Sequence, residues 1–153
     1  MQVRTRRMCL QRAVRCKMSG VDADGLPPGY VLKPEYEISP RKLSELIAAK
    51  ANLLIVDVRT ASEREVAAIS PSIHVPLHEI ETRVEEILEE ADGKQVVTYC
   101  HHGVRSLRAS LFLRQVGASS ALSMAGGIDA WSLAMDSKVP RYERNGTIVQ
   151  VVR

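Results

Sequence analysis

Hydrophobic residues follow two different rhythms along the middle of the chain. Residues 53–58 and 96–99 are nearly continuous apolar runs rich in β-branched side chains, which is typical of strands covered on both faces of a parallel sheet. Apolar residues at helical spacing occur before, between and after these runs: Leu43, Leu46 and Ile47; Leu77, Ile80, Val84, Ile87 and Leu88; and Leu107, Leu111 and Leu113. The alternation predicts an α/β domain of three layers, with a central, mainly parallel sheet flanked by helices.

Capping residues set the expected helix boundaries. Ser39 followed by Pro40 is a good helix start, and residues 62–65 fit a capping box for a short helix ending near Ala68. Further helices are expected over the apolar pattern at 77–88 and from Arg105 to Val116, the second of these ended by Gly117. Brief strands at residues 73–75 and 121–123, and a helix after Gly126 and Gly127 that bears Trp131, complete the pattern.

The flanks of this core differ in composition, so the chain divides into four parts. Residues 1–17 form a basic N-terminal extension, and residues 18–37 are a Gly- and Pro-rich linker that we expect to wrap onto the domain. The domain itself is expected over 38–142. Residues 143–153 form a C-terminal tail, in which the Asn145-Gly146 turn signal predicts a short antiparallel strand.

Charge is unevenly distributed. Of the 21 basic residues, six lie within residues 1–17, so the rest of the chain holds 15 bases against 18 acids. A basic extension on a mildly acidic domain gives no reason to expect nucleic-acid binding. The extension is interpreted as an upstream addition before Met18, with an organellar transit peptide and a nucleic-acid arm as the alternatives.

Composition limits the class of protein. The chain has 153 residues, 45% hydrophobic and 25% charged, which fits one globular domain. An aromatic content of 4% disfavours a binder built on base stacking. No run of eighteen apolar residues occurs, so no membrane segment is predicted.

The chain has three cysteines, Cys9, Cys16 and Cys100. An odd, sparse count favours free thiols in a reducing compartment, which we take as the cytoplasm, or an organelle if residues 1–17 act as a transit peptide. Cys9 and Cys16 are interpreted as bystander thiols.

Cys100 stands where a buried strand ends and a helix is about to begin. Ligands of open α/β sheets bind beyond the carboxyl ends of strands. If the intervening loop curls around the sulfur, its N–H groups and the helix N-terminus favour a thiolate and an anion beyond it. A buried small hydrophobe is the competing interpretation. The loop reads His101, His102, Gly103, Val104, Arg105, Ser106.

Four sequence blocks together resemble the single-domain rhodaneses, a family of persulfide-forming sulfurtransferases. They are Ile38-Ser39-Pro40 with Leu43, Asp57-Val58-Arg59, Tyr99 to Ser106, and Ala125-Gly126-Gly127-Ile128-Asp129-Ala130-Trp131. Their order and spacing also match. The ending, with Asp136, Val139, Pro140 and Tyr142, is similar to that of rhodanese domains fused to adenylylating enzymes that activate sulfur carriers.

The resemblance implies a reaction at Cys100 that needs no metal and no cofactor. The Cys100 thiolate would take the outer sulfur of a small anionic donor such as thiosulfate and pass it to a thiophilic acceptor, with a sulfur-carrier protein or an adenylyltransferase as expected partners. Arg105 and the loop amides would hold the anion. Asp57 and Arg59 would brace the loop, although Asp57 could equally be a strand-end cap. His101 and His102 either tune the site or are solvated.

Three alternatives have discriminating features. The active-site loop of cysteine phosphatases has the pattern Cys-x5-Arg, with five residues between the cysteine and the arginine. Only four residues separate Cys100 from Arg105 here. Non-catalytic rhodanese-fold interaction modules commonly lack the cysteine, which this chain keeps. A metal site of three consecutive residues is sterically unfavourable. One departure from the family is Ala67-Ala68-Ile69, where a Gly-His-Ile sequence is usual, so that one contact to the loop is expected to be lost.

Overall fold

A computed structural model of the protein describes residues 20–152. It confirms the three-layer α/β architecture. The strands of the main sheet are β1 Glu37–Ile38, β2 Leu53–Asp57, β3 Ile73–His74, β4 Gln95–Tyr99 and β5 Leu122–Met124. The α-helices are α1 Pro40–Ala48, α2 Ala61–Val66, α3 Val84–Glu90, α4 Val104–Val116 and α5 Gly127–Ala134, and a 3₁₀ turn covers Leu77–Glu79. An antiparallel hairpin, β6 Arg141–Asn145 and β7 Ile148–Val152, follows the main sheet.

The main sheet is parallel throughout, in the order β1-β5-β4-β2-β3. The two apolar runs of the sequence are β2 and β4, which pair along their full lengths in the middle of the sheet. Asp57 and Tyr99 are directly opposite each other at the carboxyl ends of these strands. The residues that follow, including Cys100, therefore lie at one edge of the sheet.

Side chains of the central strands alternate between two buried layers. Ile55, Val97 and Tyr99 face α1, α5 and the hairpin, in a cluster that includes Leu43, Ile128, Trp131 and Tyr142. Leu54, Val56 and Val96 face α3 and α4, in a cluster that includes Ile87, Ala109 and Leu113. Cys100 belongs to the second layer, and only 1% of its surface is exposed.

Two local predictions were wrong. The helix at 61–66 is capped by Thr60, not Ser62, because Thr60 has the extended backbone of an N-cap whereas Ser62 already lies within the helix. The apolar pattern at 77–88 does not make one helix. The Thr82 hydroxyl donates to the Glu79 carbonyl oxygen at 2.9 Å, which supports a turn between the 3₁₀ segment and α3.

The segments flanking the main sheet are attached to it. Leu26 of the Gly- and Pro-rich segment is buried, and the Arg41 amide donates to the Asp24 carbonyl oxygen at 3.2 Å. On the other side, Arg141 pairs with Asp129 at 2.8 Å, which ties the hairpin to α5. In the described part of the chain, no helix is both long and apolar enough to cross a membrane.

Candidate active site

The thiol of Cys100 sits inside a curled loop. The Gly103 N–H donates to Sγ at 3.1 Å, and the Ser106 hydroxyl lies 3.4 Å from the same sulfur. Gly103 has φ +104°, a conformation that favours glycine, and it immediately precedes α4. The Ser106 hydroxyl also lies 3.1 Å from the Gly103 carbonyl oxygen and 2.8 Å from the Ser123 hydroxyl. The backbone amide and the helix N-terminus favour negative charge at this sulfur.

Helix α5 fixes the start of the loop from behind. The Ile128 and Asp129 amides donate to the carbonyl oxygens of Cys100 and His101, at 2.9 and 3.2 Å. A Cβ atom at Gly127 would come within 2.3 Å of the His101 carbonyl oxygen. The second glycine of the Gly-Gly block is thus required for the contact between α5 and the cysteine loop.

Arg105, at the other end of the loop, is held by the carboxylate of Glu63, for which the sequence predicted no role of its own. Its Nη1 and Nη2 atoms each lie 2.7 Å from an oxygen of Glu63, whose side chain is fully buried. The Thr60 amide and the Tyr142 hydroxyl also donate to Glu63, at 3.1 and 2.9 Å. Burial alone would raise the pKa of Glu63, but these hydrogen bonds and the Arg105 charge lower it to about 2.

Asp57 and Arg59 form a second ion pair next to the first. The Asp57 carboxylate accepts from Nε and Nη2 of Arg59, at 2.9 and 2.6 Å, and from the hydroxyl of Tyr99 at 2.9 Å. It also accepts from the Arg59 amide at 3.1 Å, so it acts both as a cap and as part of a charged network. Arg59 is completely buried.

Tyr142 joins the two ion pairs. Its hydroxyl accepts from Nη1 of Arg59 at 3.1 Å and donates to Glu63. Its ring stacks on His101, with ring centroids 4.0 Å apart. Asp57 and Arg59 therefore reach the loop through Tyr99, Tyr142 and Glu63 rather than by direct contact.

The two loop histidines differ from each other. His101 is 9% exposed and stacks between His102 and Tyr142, whereas His102 is exposed. Burial and the neighbouring His102 lower the pKa of His101 to about 4, so its ring is neutral at neutral pH. Val104, the remaining predicted loop residue, is 80% exposed.

The Ala67-Ala68-Ile69 segment contacts the charged network through its backbone. Nη2 of Arg59 donates to the Ala67 carbonyl oxygen at 2.6 Å, and the Tyr99 hydroxyl lies 3.1 Å from the Ile69 amide. The backbone of this segment thus remains attached to the charged network. Within residues 20–152, no three His, Cys, Asp or Glu side chains are grouped as metal ligands.

A cleft of roughly 630 Å³ lies beside the loop. Its walls come from the end of β2, the segment around the 3₁₀ turn, and α4. Four arginines line it: the buried Arg59 at the end of β2, Arg105 and Arg108 from α4, and Arg144 from the hairpin. Leu77, Ile80 and Phe112 supply apolar surface. Ile80 and Ala109 line the cleft and also belong to the buried layer that contains Cys100.

The fold is a three-layer α/β domain with a parallel sheet, and a cysteine loop follows its central strand. Comparison with known proteins shows which family has this arrangement. Residues 39–134 match the rhodanese-like domain family, and the chain belongs to it. A sulfurtransferase of Allochromatium vinosum is 38% identical over 96 residues, which is 63% of this chain and 87% of that protein.

Longer proteins and solved structures also match. The adenylyltransferase and sulfurtransferase MOCS3-1 of Zea mays is 35% identical over 120 residues, covering 76% of this chain but only 26% of the maize protein. The crystal structure of a rhodanese-related protein from Thermoplasma volcanium has a TM-score of 0.55 at 32% identity and covers 63% of this chain and 89% of that one.

Sequence reasoning found the cysteine loop, Asp57 and Arg59, but it missed Glu63 and the role of Tyr142. The signal for Glu63 was its position three residues after Thr60, where a capping-box carboxylate is expected. No local pattern indicates that this carboxylate also binds Arg105, because 42 residues separate the two.

Proposed function

We propose that this chain is a sulfurtransferase that carries a sulfane sulfur as a persulfide on Cys100. The family and the sulfurtransferase relative support sulfur transfer in general. The observation that carries the proposal is the Gly103 N–H at 3.1 Å from Sγ, with the Ser106 hydroxyl beside it. The Gly103 N–H stabilises the Cys100 thiolate before loading, and we expect the loop amides to stabilise the charge on the outer sulfur of the persulfide after it.

The proposed reaction has two half-steps and needs no external oxidant. The Cys100 thiolate attacks the outer sulfur of thiosulfate, a new sulfur–sulfur bond forms, and sulfite leaves with the electron pair of the broken bond. A nucleophilic acceptor then attacks the terminal sulfur of the persulfide, and the thiolate of Cys100 is regenerated. With cyanide as acceptor, the product is thiocyanate.

We further propose that the acceptor in the cell belongs to a sulfur-carrier system. The match to the maize adenylyltransferase and sulfurtransferase, over 76% of this chain, supports this setting. The cleft of mixed apolar and cationic surface beside the loop is large enough for part of a protein partner to enter.

The test is thiocyanate formation from thiosulfate and cyanide. Cys100→Ser should abolish it, because the serine hydroxyl does not form a persulfide, and the variant should melt like the wild type. The matched control makes the same substitution at the two other cysteines, Cys9 and Cys16, and should keep full activity. Turnover that survives Cys100→Ser, or disappears in the control, would contradict the proposal. A folded wild type without turnover on any sulfane-sulfur donor would favour a non-catalytic interaction module.

A further inference from the structure

The ion pair between Arg105 and Glu63 changes which residues are available to bind an anionic sulfur donor. Both terminal nitrogens of Arg105 are hydrogen-bonded to Glu63. Because the pKa of Glu63 is about 2, this carboxylate is ionised at neutral pH. The charge of Arg105 is thus already offset by a buried partner, and its two-pronged hydrogen-bonding edge is occupied.

Two other arginines that line the same cleft, Arg108 and Arg144, have no bidentate ion pair of this kind. Arg108 is exposed, and within residues 20–152 it has no hydrogen bond or ion pair. Arg144 donates from Nε to the Gly146 carbonyl oxygen at 2.8 Å, and its Nη1 lies 3.7 Å from Glu63. Its side chain is 40% exposed, so part of it remains open to solvent.

Arg105, which belongs to the cysteine loop, lines the same cleft as these two side chains. Arg108 follows Arg105 by three residues on α4, so both lie on neighbouring positions of one helix face. Among the described residues that line the cleft, Glu81 is the one side chain carrying a negative charge. Guanidinium groups in a partly enclosed cleft attract anions, and they suit oxyanions with several acceptor oxygens.

We propose that Arg108 and Arg144 hold the oxyanion end of the sulfur donor, while Arg105 positions the cysteine loop through Glu63. This inference rests on the proposed function and names the specificity-determining residues of that site. It also makes the C-terminal hairpin part of the site, although the hairpin lies outside the residues that match the family, 39–134.

The test is steady-state kinetics with thiosulfate for Arg108→Gln, Arg144→Gln and the double variant. Each single substitution should raise the KM for thiosulfate on the order of tenfold, since each removes a charged hydrogen-bonding partner of the anion. The kcat of Arg108→Gln should stay within about twofold, because Arg108 contacts neither Glu63 nor the thiol. Lys138→Gln is the matched control, since Lys138 is exposed, lies outside the cleft and carries the same charge.

The outcomes separate this inference from the proposed function. An unchanged KM in both arginine variants would overturn it, as would an equal rise in Lys138→Gln, which would indicate a net-charge effect. If the wild type does not turn over thiosulfate, calorimetric titration of thiosulfate into Cys100→Ser tests the contact directly. Affinity about tenfold weaker when Arg108→Gln is added would support the inference, and equal affinity would overturn it.

Discussion

Glu63→Gln removes the charge that holds Arg105 while keeping nearly the same side-chain volume. The Glu63 side chain is fully buried and contacts Arg105, Tyr142 and Thr60. A glutamine there still accepts hydrogen bonds through its oxygen, but its NH₂ group faces a nitrogen of Arg105. The substitution therefore leaves a partly buried guanidinium without its counter-ion.

Two independent estimates give the size of the effect. Breaking a buried ion pair by removing one partner costs about 3–5 kcal/mol. The pKa of Glu63, about 2 against a usual 4.5, corresponds to ~3 kcal/mol of folding free energy. We therefore expect the free energy of unfolding at pH 7 to fall by about 3 kcal/mol, and Tm by roughly 6–12 °C.

The pH dependence distinguishes this electrostatic cause from a packing defect. Because the pKa of Glu63 is lowered by folding, its stabilisation is complete well above pH 4.5 and is lost as the pH falls towards 2. The difference between wild type and Glu63→Gln should thus shrink by about 1.4 kcal/mol per pH unit below 4.5.

The assay is urea unfolding followed by the fluorescence of Trp131, the single tryptophan of the chain, at pH 7 and at pH 3.5. The matched control is Glu45→Gln, which breaks an exposed pair with Lys42 and should cost less than about 1 kcal/mol. A loss below 1 kcal/mol for Glu63→Gln at pH 7, or a loss of the same size at both pH values, would refute the reasoning.

Three further substitutions test other contacts of the loop. Tyr142→Phe keeps the stacking on His101 but removes the hydroxyl that donates to Glu63. The free energy of unfolding should fall by about 1.5–3 kcal/mol in thermal melts. No change would show that this hydroxyl does not contribute to stability. Gly127→Ala should leave little folded protein on circular dichroism, because its Cβ overlaps the His101 carbonyl; a native spectrum would contradict this. Ser106→Ala removes a hydroxyl that lies 3.4 Å from the Cys100 sulfur and 2.8 Å from the Ser123 hydroxyl. It should slow sulfur loading in stopped-flow measurements and also lower Tm, whereas an unchanged loading rate would argue against the contact with sulfur.

The fold was largely predictable from the sequence because its strongest signals are local. The runs that became β2 and β4 are too apolar for an exposed position, and Gly117 ends α4 as predicted. Strand β1 escaped prediction. It has only two residues, Glu37 and Ile38, and depends on pairing with β5, far away in the chain.

The site was predictable only where its residues are neighbours in sequence. Cys100, Gly103 and Ser106 lie within seven positions, and their spacing around a strand end indicated the curled loop. Two residues that hydrogen-bond to Arg105 and Arg59, in contrast, are distant in sequence. Glu63 and Tyr142 reach them across 42 and 83 residues, and no periodicity or motif spacing encodes such contacts.

The central claim is that Cys100 carries sulfur, and intact mass spectrometry tests it most directly. After incubation with thiosulfate and removal of excess reagent, the wild type should gain the mass of one sulfur atom and lose it again when cyanide is added. Cys100→Ser should show no gain. A gain of the same mass in Cys100→Ser, or no gain in a folded wild type offered thiosulfate and other sulfane-sulfur donors, would contradict the account.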